Sequence, residues 1–126
     1  MSRAARLIVT DKDSWYFLHA KTLPTVRKGA LTEAESGDKL LGIIALYAKA
    51  FECDLAGVFI SKYHYALVVK FRKFRVLPQK VLSQKATALD AEKQERFDLW
   101  SKKDWSYFNA RLFDVGEFMR SIQMTF

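Results

Sequence analysis

Between Asp54 and Phe71 the residue pattern leaves few folds open to this chain. Asp54-Leu55-Ala56-Gly57-Val58-Phe59-Ile60 runs into Ser61-Lys62 and continues as Tyr63-His64-Tyr65-Ala66-Leu67-Val68-Val69-Lys70-Phe71. Both arms are rich in β-branched and aromatic residues, and a two-residue break at Ser61-Lys62 is the length of a hairpin turn. Strand side chains alternate faces, so Tyr63, Tyr65, Leu67, Val69 and Phe71 share a face that reads as core. His64, Ala66, Val68 and Lys70 share the other. The hairpin needs an apolar cover on its first face and carries one chemically suggestive residue, His64, on its second.

The flanking segments supply that cover. Trp15–Thr22 reads as a strand, within which His19 is expected to be a packing or edge histidine rather than a ligand. Leu23–Gly29, broken by Pro24 and Gly29, reads as a loop. Thr32 and Glu35 form a capping-box pattern, and Leu40, Ile44, Tyr47, Ala48 and Phe51 follow as an apolar helical stripe. Strand, helix and hairpin give a β-α-β-β order, for which an α+β fold with helices on one sheet face is the natural architecture. Asp90–Asp104 reads as a mixed-charge helix pinned by Phe97 and Trp100, with Trp105, Tyr107 and Phe108 extending a satellite aromatic core. A last helix starts at Asp114, with Glu117 completing a capping pattern and Phe113 stapling to Phe118; Val115, Phe118, Met119, Ile122 and Phe126 form its buried stripe.

At 126 residues the chain fits one domain, residues 1–126. Cys53 is the only cysteine, which excludes an internal disulfide framework and a cysteine-rich zinc site. No apolar run approaches a membrane span and no secretory signal is visible, so a cytoplasmic protein without a membrane partner is expected. The formal charge of +7 favours a polyanionic partner, most simply nucleic acid. The basic residues concentrate in Lys70–Lys85, where Lys70, Arg72, Lys73, Arg75, Lys80 and Lys85 stand without an acidic neighbour and with Phe71 and Phe74 between them. Aromatic rings among cations can stack on bases while the cations meet phosphates, which makes Lys70, Arg72, Lys73, Arg75 and Lys80 the candidate DNA-binding set. The competing reading of that stretch is a solvated loop and helix start near Pro78.

Two stretches resemble the IS200-like single-tyrosine transposases of the HUH class, including the REP-associated members. Phe51–Val69 aligns without gaps on the family's strand, placing Phe51, Leu55, Gly57 and His64 on the family's own residues and Ala66 where its second metal-binding histidine stands. A register one residue earlier sets Tyr63 and Tyr65 on the two histidines; in both registers the His-x-His pair is broken. Arg111-Leu112-Phe113-Asp114-Val115-Gly116-Glu117-Phe118-Met119-Arg120-Ser121-Ile122 resembles the family's Arg-Leu-x-Asp-x-Ser-x-Phe-Met-Arg-x-Leu. Tyr16, Lys21 and Thr22 follow the cadence of its first strand.

The resemblance implies a ferredoxin-like antiparallel sheet, a homodimer, and single-stranded or hairpin DNA as partner. In the family two histidines hold magnesium or manganese and a tyrosine on a later helix attacks the phosphodiester. Here His64 is left as a weak metal position beside Ala66, no tyrosine maps on the nucleophile, and the chain reaches Phe126 before the expected tyrosine helix. The expectation is a transposase-like DNA-binding domain, either a degenerate relative or a fragment of a longer chain, with no catalytic residue, no cofactor and no cleavage. A small α+β protein-interaction domain with an incidental basic surface is the rival, and an active nucleotidyltransferase with an unusual site is the third reading.

Overall fold

The computed structural model describes residues 11–21, 30–89, 97 and 99–126. Three strands, β1 (Ser14–Lys21), β2 (Cys53–Ser61) and β3 (His64–Phe71), form an antiparallel sheet in the order β1-β3-β2. Among the described residues there are four helices: α1 (Ala34–Ala50), α2 (Gln79–Leu89), α3 (Lys102–Arg111) and α4 (Val115–Thr125). The fold is thus α+β, with β3 as the central strand and α1 carrying the chain from β1 to β2. No helix among the described residues is long and apolar enough to cross a membrane.

The alternation in the hairpin orients the sheet as expected. Tyr65, Leu67, Val69 and Phe71 are buried and join Leu18 and Ala20 of β1 in one core. Leu40 and Ile44 of α1, Phe51 at its end, and Val115, Phe118 and Ile122 of α4 close over them. Phe118 meets Phe51 and Phe71 edge-on, at 5.4 and 5.6 Å between ring centroids. Both helical stripes read from the sequence are therefore core stripes. Trp100, Trp105 and Phe108 pack with Phe97 as the satellite cluster, Trp100 and Trp105 at 4.8 Å.

Several boundaries differ from expectation, each for a local reason. The turn is Lys62-Tyr63, not Ser61-Lys62: Ser61 pairs with His64, and its hydroxyl donates to the His64 carbonyl at 3.1 Å. Tyr63 therefore lies outside β3. Helix α1 starts at Ala34 with Glu33 as N-cap and no side-chain cap, so Thr32 and Glu35 form no capping box. Leu99 to Ser101 are not helical; Ser101 instead caps α3 in a reciprocal capping box with Asp104. Residues 90–96 and 98 of the expected Asp90–Asp104 helix lie outside the described residues, as do the Leu23–Gly29 loop and Thr22. Asp114 caps α4 by accepting from the Gly116 and Glu117 amides, while the Glu117 carboxylate turns to Arg111 and Arg120, each at 3.8 Å.

One irregularity shapes the sheet. The β2–β3 register passes from Leu55↔Val69 to Gly57↔Val68, which leaves Ala56 as an extra residue in a bulge. Beyond it, Phe59 and Ser61 face the same side as His64, Ala66 and Val68.

Candidate nucleic-acid interface

The second face of the sheet is built from three strands in four rows. Antiparallel register sets Lys21, His64 and Ser61 in one row, His19, Ala66 and Phe59 in the next, then Phe17, Val68 and Gly57, then Trp15, Lys70 and Asp54. Directly paired residues share a face, so these side chains all point away from the core. Trp15, Phe17 and Phe59 are 61%, 58% and 59% exposed. Large rings this open, gathered on one sheet face, are not needed by the core and make this face a candidate binding surface. Ala66 is nevertheless buried, lying between His19 and Phe59 in its row.

His64 is not alone on this face. The His19 Nδ1 lies 3.3 Å from the His64 Nε2, with the ring centroids 5.3 Å apart. The two residues sit on a cross-strand diagonal, since His19 pairs with Ala66 and His64 with Lys21. Ala66 offers only a methyl opposite His19, which leaves room for the imidazole to reach the next row. Phe17 braces His19 from the other side, ring edge to face at 4.3 Å. His19, expected as a packing or edge histidine, lies on the edge strand β1, and His64 has it as an imidazole neighbour.

The basic segment after β3 has a different environment from the one its sequence suggests. Arg72 bonds Glu52 and Asp54, both at 2.6 Å, and Arg75 lies 3.6 Å from Glu52. The Glu52 side chain is 5% exposed and that of Arg72 41%. Partial burial draws the Arg72 pKa down, but the Glu52 hydrogen bond and the Asp54 and Glu52 charges outweigh it, and the net direction is up. Lys70 stands 3.8 Å from Asp13, whose carboxylate also accepts the Lys73 amide at 2.6 Å. The acidic partners absent from Lys70–Lys85 thus arrive from Asp54 in β2 and from the residues just before β2 and β1, Glu52 and Asp13. Lys85 donates to the Ala50 carbonyl at 2.6 Å and so completes the end of α1. The Lys73 side chain is exposed, as is Lys80 in the first turn of α2.

Of the two aromatic residues of that segment, Phe71 is not available for stacking, whereas Phe74 is 40% exposed. Phe71 is 1% exposed and belongs to the core. Phe74 leans on Phe113 at 5.2 Å between centroids. Asn109 fixes the segment to α3: its side-chain carbonyl accepts the Leu77 amide at 2.8 Å and its amide donates to the Arg75 carbonyl at 3.1 Å.

Of the five proposed DNA contacts, Lys70 alone projects from the open sheet face, with Lys73 just past its Trp15 end. Trp15, Phe17, Phe59 and Lys21 were not singled out from the sequence as contacts. Their signal was present: β1 is apolar on both faces, which an edge strand with one solvated face does not require. No family model matches the chain, and no curated protein or solved structure matches it. Among the described residues no cluster of three or more histidine, cysteine, aspartate or glutamate side chains is placed to hold a metal.

Proposed function

We propose that this chain binds single-stranded DNA across the open face of its sheet. Trp15, Phe17 and Phe59 offer ring faces or edges to unstacked bases, and Lys21, Lys70 and Lys73 meet the phosphates. The observation that carries this reading is the group of three exposed aromatic side chains on one face of a sheet whose other face is core. Trp15 and Phe17 are two residues apart on one strand, about 6.5–7 Å along it, and Phe59 is two strands away, about 9–10 Å across. Such spacing suits splayed bases rather than a continuous duplex, whose bases hide their faces. Lysines at both ends of the grid give the backbone a cationic path.

The likeness of Phe51–Val69 and Arg111–Ile122 to the IS200-like transposases supports DNA over RNA. The β1-β3-β2 order is three-quarters of a ferredoxin-like sheet, and we extend the proposal to that arrangement and to the homodimer the resemblance implies. On this reading the surface binds DNA without strand cleavage, since Ala66 stands where the resemblance places the second metal-binding histidine.

The test is titration of fluorescent single-stranded and duplex oligonucleotides at several salt concentrations, alongside the triple variant Trp15→Ala/Phe17→Ala/Phe59→Ala. Salt-dependent binding that prefers the single strand and is lost in the triple variant is expected. No binding at low salt, or binding indifferent to the triple variant, overturns the proposal in favour of a protein-interaction face. A covalent protein–DNA adduct formed with magnesium or manganese would overturn the absence of cleavage.

A further inference from the structure

The chain has two histidines, 45 residues apart in sequence, and the fold brings their ring nitrogens to 3.3 Å. We propose that His19 and His64 form a two-imidazole site for a nitrogen-preferring divalent transition ion, Zn²⁺, Ni²⁺ or Cu²⁺. The site is independent of the DNA-binding reading and differs from the one the sequence resemblance implies. Its second ligand comes from the edge strand β1 rather than from position 66, and its metal class is not that of magnesium or manganese.

The geometry argues for it in three ways. First, the bite is right. Metal–imidazole bonds of about 2.0–2.1 Å spanning a 3.3 Å nitrogen separation enclose an angle of roughly 105–110°, close to tetrahedral. Second, the two donors are held by the sheet rather than by loops. Both residues belong to strands paired in continuous register, and Phe17 packs on the His19 ring. Little additional ordering is therefore required when an ion binds. Third, the approach is open. His19 is exposed and His64 half-buried on an uncovered face, so the remaining coordination positions face solvent.

The proton accounting is simple. With both rings neutral and hydrogen-bonded, one of the facing nitrogens carries the shared proton and the other accepts it. An ion inserted between them needs both lone pairs. The donor ring moves its proton to its other nitrogen, remains neutral, and leaves both facing nitrogens free to coordinate. Imidazole donors without nearby carboxylates favour zinc, nickel and copper over oxygen-seeking magnesium. Ser61, the neighbour of His64 across β2–β3, already spends its hydroxyl on the His64 carbonyl, so the protein ligands among the described residues are the two imidazoles.

The experiment follows the histidine ring nitrogens of the full chain by ¹⁵N NMR during titration with Zn²⁺ alone, with Mg²⁺ as the contrast. The His19 Nδ1 and His64 Nε2 signals are expected to shift together and saturate at one ion per chain, while Mg²⁺ leaves both unmoved. His19→Gln and His64→Gln should each weaken Zn²⁺ binding on the order of 100-fold, the gain a second tethered ligand provides. Both positions lie on the open face, and far-ultraviolet circular dichroism checks that the variants fold. Shifts in one ring only, saturation of the two rings at different zinc concentrations, or single variants that bind as well as the parent would each overturn the site. The ring spectrum of the unaltered chain decides the matter even where a variant fails to fold.

Discussion

The open sheet face and the segment that follows β3 contain the same kinds of residue and employ them in opposite ways. On the sheet face the aromatic rings are exposed and Lys21 projects among them. In the segment from Arg72 to Leu77 the two arginines are engaged by Glu52 and Asp54 and the backbone is held by Asn109. A run of positive charge along the chain is thus no guide to positive charge in space. Glu52, just before β2, and Asp54, within it, meet the run because β2 and β3 pair in register, whereas the aromatic platform is marked in the sequence only by a β1 that is apolar on both faces.

Five experiments would sharpen or break this contrast. The largest effect is expected on the platform. Replacing Trp15, Phe17 or Phe59 with alanine should each cost about 1–3 kcal/mol of single-strand affinity, with the melting temperature nearly unchanged because those rings are exposed. In the segment the expectation inverts. Asn109→Ala strands the Leu77 amide and the Arg75 carbonyl, and should cost about 2–3 kcal/mol of stability in a urea melt; an unchanged midpoint would mean that the segment is not held by Asn109. Glu52→Gln should destabilise by about 1–2 kcal/mol, at the low end for a buried pair since Arg72 can return to water. It should leave DNA affinity equal or higher, because Arg75 loses its acidic neighbour and Arg72 keeps only Asp54; weaker binding by a folded variant would reverse the assignment.

The fourth concerns pH. Burial raises the Cys53 thiol from its ordinary 9.0 to about 12 and the Tyr65 phenol from 10.0 to about 12. The unfolded chain gives up these protons first, so the stability they confer is complete below pH 9 and falls between pH 9 and 12. The Tyr65 hydroxyl is buried without a hydrogen-bond partner among the described residues. Tyr65→Phe should therefore gain about 1 kcal/mol at neutral pH and flatten the alkaline loss above pH 10, read from melts across that range. The smallest effect is on salt dependence. Lys73→Ala should lower the slope of log affinity against log salt by about 0.7 for single strands, and Arg72→Ala by clearly less. Equal slopes for the two would erase the distinction between free and engaged cations.

These outcomes bear on what the residues reveal before any coordinates are known. The hairpin, its core face and both helical stripes were legible because alternation and 3.6-residue spacing are local signals. The acidic neighbours of Lys70, Arg72 and Arg75 were not legible because Glu52, Asp54 and Asp13 precede them by many residues and reach them through strand pairing. The same long-range register hid the His19–His64 contact: each histidine is unremarkable within its own strand, and the β1–β3 alignment alone makes them neighbours. Along β3 alone His64 has only Ala66 two residues on; its imidazole neighbour lies one strand over. The turn was misplaced by one residue because Ser61 suits a turn by composition but spends its hydroxyl closing the pair with His64.

Cys53 gives the molecule a built-in clock. It begins β2 at the sheet edge, is 5% exposed, and its thiol donates to the Ala48 carbonyl at 3.7 Å. As the chain's single sulfhydryl, retained in protonated form, it cannot meet a thiol reagent until the end of α1 and the start of β2 part. The labelling rate of the unmodified protein should then count those partings one by one. Recorded with and without bound oligonucleotide, it would tell whether occupying the far face of the sheet steadies the edge behind it.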